Sequence, residues 1–295
     1  MKNLYGKVIY SICILNVSLL FFACASTGGL PAGAHLTQTI KVDSLQREFT
    51  VYEPGTANEG QPLPVVFAYH GGGGTSQNMI AMSGFSKLAR QDGFLVVYPQ
   101  GIGNGWNDGR VTTVQQAHRE QVDDVGFFDV MLAWLQANYP VDMDRVYVTG
   151  ISNGGIFSHY IGALRAEKIA AIAPVVGGVA SPFNQRFAPS EPVSVLIIQG
   201  TNDRLVPYNG GPIWFFDDRD RGSIISTDQT IQLWVEANGC NLEPEVGMLA
   251  DRDPGDGFRI EASLWNDGKN NSVVWLYKVI GGGHTWPGGP QYTSE

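Results

Sequence analysis

The stretch from Val146 to Gly155, VYVTGISNGG, decides how the rest of the chain is read. Val146, Tyr147 and Val148 are β-branched or aromatic and favour a strand. The residues that follow, IFSHYIGALRAEK, read as a helix. Between them, Gly150-Ile151-Ser152-Asn153-Gly154 fits G-x-S-x-G. In such a turn the serine holds a strained backbone position that flanking glycines make tolerable. The turn lifts the serine hydroxyl clear of a sheet, at the N-terminus of a helix. Gly-rich strand-to-helix turns are common, so the motif alone leaves a purely structural role open.

Outward from this turn, short apolar runs alternate with helical patterns. QTIKVD and REFTVYEP read as a hairpin. LPVVFAYHGGGG reads as a buried strand closed by glycines, followed by a helix near Gln77–Arg90 and the strand FLVVYP. The next twenty or so residues lack an apolar period and read as a long loop. VDDVGFFDVMLAWLQANYP has helical spacing, with Asp123 and Asp124 placed as acidic caps. IAAIAPVVGG, VSVLIIQG and VVWLYKVIGGG are further strands. STDQTIQLWVEANGC is a capped helix closed by Gly239. Continuous apolar strands of this kind belong to a parallel sheet covered on both faces. The expected fold is a doubly wound, mostly parallel α/β sheet, whose sites form at the carboxyl ends of the strands.

That rule narrows the chemistry. If Ser152 is a nucleophile it needs a base and an orienting acid, in the chain order Ser, then Asp or Glu, then His. Of His35, His70, His118, His159 and His284, only the last two follow the serine. His159 lies about 10 Å along the helix from Ser152 and faces away from the turn. His284 directly follows the last strand, in GGGHTWPGG, and is the base. Asp203, three residues beyond a buried strand in IIQGTNDRLVP, is the acid; as a plain loop residue it would make an Asx-turn. Asp217, Asp218 and Asp220 crowd a charged loop. Asp251, Asp253 and Asp256 sit in DRDPGDG, whose spacing does not fit an EF-hand and reads as a solvated turn. The backbone N–H groups of Asn153 and Gly72, the latter in the HGGGG run at His70–Gly74, are the expected oxyanion donors. His70 braces that loop. No metal or cofactor is called for.

The ordered stretches YHGGGG, VVYPQG, GWNDG, VDDVGF, GISNGG, AAIAPVVGG, GTNDRLVPYNGG, WVEANGC and GGGHTWPGG, spread over about residues 45–290, resemble the poly(3-hydroxybutyrate) depolymerase-like esterases. These are α/β-hydrolases, kin to feruloyl and acetylxylan esterases. The resemblance implies Ser152 as nucleophile, Asp203 as acid and His284 as base. It also implies that Trp286 walls the acyl pocket and that Trp106 lines the cleft. It favours hydroxyalkanoate polyesters or oligomers as substrates. Feruloyl or acetylxylan esters are the alternative, and a silent hydrolase used as a binding protein is the alternative of another class. Two departures stand out. No cysteine pair follows Trp106-Asn107, and the chain ends eleven residues after His284, where members of the family continue into a final helix. Either the sequence is a fragment of a longer chain or the expected fold lacks that helix.

Composition agrees with one catalytic domain over residues 37–295. Hydrophobic residues make up 43% and charged residues 16% of the 295 positions, enough for a sizeable core. The net charge of −9, without clustered Lys and Arg, argues against nucleic acid as a partner. Residues 1–25 read as a signal peptide, with Lys2 and Lys7 before an apolar run too short for a confident membrane span. Cleavage before Cys24 would leave a lipid-bearing cysteine as the only membrane contact, and cleavage after Ala25 would free the protein. Both readings mean export. Residues 26–36 are a linker. The PIWFFDD segment is either an exposed docking patch or packs inward beneath a loop. Cys240 reads as a buried, unpaired cysteine.

Overall fold

The structure is a computed structural model that describes residues 33–55, 61–215, 217 and 219–289. The expected signal peptide, Cys24 and the first residues of the linker lie outside the described residues, as do Phe216 and Asp218. The chain starts with the antiparallel pair β1 (His35–Val42) and β2 (Leu45–Tyr52), so the first strand begins inside the expected linker. Next come β3 (Leu63–Tyr69), α1 (Ser76–Ser83), α2 (Phe85–Asp92) and β4 (Leu95–Pro99). The single helix expected near Gln77–Arg90 is two helices, because Gly84, at φ 69°, ends the first in a left-handed conformation.

The long loop holds one turn of helix, α3 (Gln116–Arg119), before α4 (Asp124–Asn138), β5 (Val141–Ile151) and α5 (Asn153–Leu164). Then follow β6 (Ala171–Val175), β7 (Ser194–Gly200), the two-residue pair β8 (Gly211–Pro212) and β9 (Ser223–Ile224), and α6 (Thr227–Asn238). The chain closes on β10 (Glu245–Met248), β11 (Arg259–Trp265) and β12 (Val274–Ile280).

Ten strands form one sheet in the order β1-β2-β4-β3-β5-β6-β7-β12-β11-β10. Its centre, from β4 to β12, is parallel, and both edges are antiparallel. The expected α/β-hydrolase sheet is present. The β10–β11 hairpin was not anticipated, because β10 is exposed throughout and carries no burial pattern to read. DRDPGDG is the connection of that hairpin. Asp251 pairs with Arg259 at 2.7 Å, and Asp256 accepts from the Phe258 N–H at 2.8 Å.

The two faces of the sheet are covered unequally. On one face Val65, Phe67, Val148, Ile172 and Leu276 pack against apolar residues of α4, α5 and α6 in one continuous core. On the other face α1 and α2 bury Ala68, Val96 and Tyr98 near β4. Across β5, β6, β7 and β12 that face is only half covered among the described residues. Tyr147, Ala171, Leu196 and Trp275 are half-buried there and line a groove of about 270 Å³. The expected helices are present on both faces of the sheet.

The start of α4 shows how tertiary contacts override a local reading. Asp123 is the N-cap, accepting from the Gly126 N–H at 2.7 Å. Asp124 is not a cap. It is buried, paired with Arg47 of β2 at 2.6 Å, and accepts from the Asn107 N–H at 2.7 Å.

Candidate active site

Ser152 stands between β5 and α5 at φ 57° and ψ −120°, a conformation a non-glycine residue rarely adopts. Holding it there costs of order ~1–3 kcal/mol, so the surroundings must over-determine the turn. They do so by close approach. A Cβ on Gly154 would strike the Tyr69 and His70 carbonyls, and one on Gly150 would lie 2.5 Å from the Gly154 carbonyl. The Ser152 N–H donates to Val175 O at 2.9 Å, and the Ile156 N–H donates to Ser152 O at 2.8 Å. The serine is thus clamped by β3, β6 and its own helix.

The acid and the base meet because β7 and β12 are parallel neighbours. Their following loops are zipped together: the Asn202 N–H donates to Gly282 O at 2.9 Å, and the Gly281 N–H donates to Thr201 Oγ1 at 2.9 Å. Gly200 lets the loops close, since a Cβ there would strike the Gly282 carbonyl. Asp203 Oδ2 then lies 2.8 Å from His284 Nδ1. Asp203 Oδ1 accepts from the N–H groups of Leu205 and Val206, both at 2.9 Å. Both side chains of the pair are buried.

The glycine loop after β3 lies alongside. The Gly73 N–H is taken by Asn104 O at 2.7 Å and the Gly74 N–H by Gly71 O at 3.0 Å. Among the described residues no acceptor meets the Gly72 N–H, and Asn153 begins a helix, where the first N–H groups lack intrahelical partners. Gly72, Asn153, Ser152 and His284 line one cavity of about 410 Å³. His70 holds the loop: Nδ1–H donates to Gly71 O at 2.8 Å, and Nε2 accepts from the Gly101 N–H at 3.0 Å. Burial lowers its pKa to about 4, which keeps it neutral. His159 is buried as well, accepts from Trp234 Nε1–H at 3.0 Å, and has its pKa lowered to about 3 by burial.

Beneath the turn lies a polar cluster that the sequence did not reveal. The Asn153 side chain donates to Asp108 Oδ2 at 2.6 Å and to Trp106 O at 3.0 Å, and accepts from the Trp106 N–H at 2.8 Å. Asp108 also meets Arg110 at 2.7 Å and His118 at 2.9 Å. Burial alone would raise the Asp108 pKa, but Arg110 and His118 hold it well below the usual carboxylate range.

Both tryptophan expectations need correction. Trp106 does not line the cleft. It is fully buried, stacked on Phe157, and its Nε1–H donates to His70 O at 2.8 Å, so it supports the glycine loop from below. Trp286 does not wall the cavity that holds Ser152. It packs against Phe85 and borders a separate cavity of about 850 Å³ near the β10–β11 connection. The aromatic wall comes instead from Trp214 and Phe215, which are 56% and 51% exposed and line the cavity of Ser152. That segment is therefore at the surface at these two residues, not tucked beneath a loop. Cys240 is buried and free.

NocK of Nocardia uniformis subsp. tsuyamanensis, which bears the name of an esterase, is 30% identical over 236 residues, covering 78% of this chain and 67% of its own length. The chain belongs to the serine esterases of the α/β-hydrolase fold. Feruloyl esterase D of Neurospora crassa is 26% identical, with 96% of this chain and 91% of that protein covered. Feruloyl esterase B of Piromyces equi is 28% identical over 81% of this esterase, which spans 42% of the fungal protein. A family model described as X-Pro dipeptidyl-peptidase (S15 family) matches residues 43–188. That span includes Ser152 and stops before Asp203 and His284. Among solved structures, an acetyl xylan esterase from Aspergillus awamori superposes with a TM-score of 0.58 at 17% identity, covering 85% of this chain and 95% of that one. A ferulic acid esterase from Anaeromyces mucronatus, in complex with ferulic acid, gives 0.52 at 17%, covering 86% and 85%. At this identity the likeness speaks to the fold of the esterase alone.

Proposed function

We propose that this esterase hydrolyses feruloyl- or acetyl-type carboxylic esters through an acyl-enzyme on Ser152. The observation that carries the reading is the convergence of the strained Ser152, the Asp203–His284 pair and the Gly72 and Asn153 N–H groups on one cavity walled by Trp214 and Phe215. His284 Nε2 takes the proton as Ser152 Oγ attacks the ester carbonyl. Asp203 fixes the imidazole tautomer and stabilises the imidazolium. The Gly72 and Asn153 N–H groups receive the oxyanion, and each such donor is worth ~10²–10³ in rate. His284 then protonates the departing alcohol, and water repeats the sequence on the acyl group. Retention of serine, acid and base together weighs against a silent binding protein.

The relatives named feruloyl and acetylxylan esterases favour these substrates over the hydroxyalkanoate polyester of the first expectation. Export, freely or with lipid on Cys24, is part of the proposal and rests on the N-terminal apolar run. The test is a hydrolysis panel of methyl ferulate, acetylated xylan, 4-nitrophenyl acetate and hydroxybutyrate oligomers, with wild type and Ser152→Ala. Cleavage of the first two by wild type alone supports the reading. Cleavage confined to hydroxybutyrate oligomers restores the polyester reading, and no cleavage with no labelling by a fluorophosphonate removes the enzyme reading.

A further inference from the structure

The cavity over Ser152 is rich in arginine although the chain as a whole is acidic. Arg110, Arg119, Arg219 and Arg221 line it, and among the described residues no Asp or Glu does. The chain carries 28 acidic residues against 19 Lys and Arg. The four guanidinium groups are not equally compensated. Arg110 is buried and paired with Asp108 at 2.7 Å. Arg219 and Arg221 share a single carboxylate, that of Asp217. Arg119 donates from Nη1 to Thr113 O at 3.1 Å and Val114 O at 2.9 Å, and among the described residues no carboxylate pairs with it. Among the described residues, four positive groups thus meet two carboxylates, an excess of two positive charges.

These groups are also held in place. Arg221 lies over the Phe215 ring at 4.9 Å, and its carbonyl accepts from Arg110 Nη1–H at 2.8 Å. Arg119 is pinned by its two carbonyls at one end of the guanidinium. Its Nε and Nη2 edge remains to meet a ligand. A fixed guanidinium fork fits a carboxylate with two parallel hydrogen bonds, and little side-chain freedom is lost when it does so. Surface arginines on an acidic protein usually sit among carboxylates, and a local excess of positive charge in a cleft concentrates anions there.

Resting on the esterase reading above, we infer that the preferred substrate carries a carboxylate in addition to its ester bond. The carboxylate docks on Arg119 and Arg221 while the scissile carbonyl lies at Ser152. Trp214 and Phe215 receive the flat or apolar part between them. Neutral esters would be cleaved less efficiently, because they leave Arg119 without a carboxylate and Arg221 with only the share of Asp217 that Arg219 also uses.

The experiment uses pairs of esters that differ only in charge. On the acyl side these are methyl 4-carboxybenzoate and methyl 4-carbamoylbenzoate. On the alcohol side they are 4-acetoxybenzoate and 4-acetoxybenzamide. In at least one pair, wild type should prefer the carboxylate by tenfold or more in kcat/KM at low salt. That ratio should fall at least fivefold in Arg119→Gln and in Arg221→Gln, and should shrink in 0.5 M salt, roughly as expected for a solvent-facing charge. It should survive Arg145→Gln, whose exposed side chain pairs with Asp142 at the start of β5. A wild-type ratio near or below one in both pairs, or a ratio that survives both cavity variants, overturns the inference and leaves the esterase reading standing. Labelling of Ser152 without cleavage of any of the four esters also overturns it. Failure of both labelling and cleavage sinks the esterase reading with it.

Discussion

Asp203 Oδ2 and His284 Nδ1 lie 2.8 Å apart although 81 residues separate them in the chain. The contact is a consequence of sheet order, because β7 and β12 are parallel neighbours and release their loops at the same edge. An amide at position 203 would keep the shape but present N–H to Nδ1, which forces the other imidazole tautomer. Asp203→Asn is therefore expected to lower kcat/KM by about 10⁴ while the melting temperature stays close to wild type. Asp256→Asn, in the exposed β10–β11 connection, should stay within about twofold. Retention of more than a tenth of the wild-type rate by Asp203→Asn would remove it from the mechanism.

The strain at Ser152 gives a stability prediction independent of activity. Both Ser152→Ala and Ser152→Gly should be inactive. The alanine keeps a Cβ at φ 57°, whereas glycine accepts that conformation freely. Ser152→Gly should thus be the more stable of the two, by about 1 kcal/mol, the strain relief set against the greater freedom of unfolded glycine. Urea unfolding of the two variants measures the difference, and equal midpoints would mean the turn is not strained.

Much of this arrangement was legible in the sequence, and the part that was not has a physical reason. Ser152, Asp203 and His284 each follow an apolar strand, so the rule that sites gather at strand ends singled them out. Gly72 and Asn153 followed from the glycine run and the serine's neighbour. Trp106 and Trp286 were misread because a motif gives the order of residues but not the face on which a ring lies. Trp106 turned inward to bond His70 O, and Trp286 turned towards α2. The arginines were invisible for a different reason. Arg110 and Arg119 come from the aperiodic loop and Arg219 and Arg221 from a charged segment more than ninety residues later, with no spacing that links them. Only the fold brings them to one cavity.

The cluster under Asn153 should be costly to disturb. Asp108 is fully buried and is the counter-charge of Arg110, itself almost buried. Removing the carboxylate in Asp108→Ala strands that guanidinium, a change worth ~3–5 kcal/mol. It also removes the acceptor that orients Asn153 Nδ2, so activity should fall in the fraction that still folds. Chemical denaturation gives the first number. Loss below about 1 kcal/mol would show that the pair is better solvated than its burial implies.

Two buried histidines make the fold sensitive to mild acid. His70 Nε2 accepts from the Gly101 N–H, and His159 Nδ1 accepts from the Trp234 N–H. A proton on either acceptor nitrogen would break that bond and place a charge in the interior. Burial accordingly lowers their pKa values to about 4 and about 3 in the folded protein. In the unfolded chain both titrate near ~6.5. Below that pH the unfolded state binds more protons than the folded state, so stability rises with pH across the interval. The contribution is complete above about pH 6.5. It declines as the pH falls towards about 4 for His70, and further, towards about 3, for His159. Carboxylates titrate over part of the same range, so the comparison must be between variants. His70→Gln and His159→Phe should each show a shallower dependence of unfolding free energy on pH between 6 and 4.5, by close to one proton, whatever their absolute stability. If both variants kept the wild-type slope, the two imidazoles would have to be protonated in the folded protein as readily as in the unfolded one, and the buried acceptor geometry at the glycine loop would be wrong.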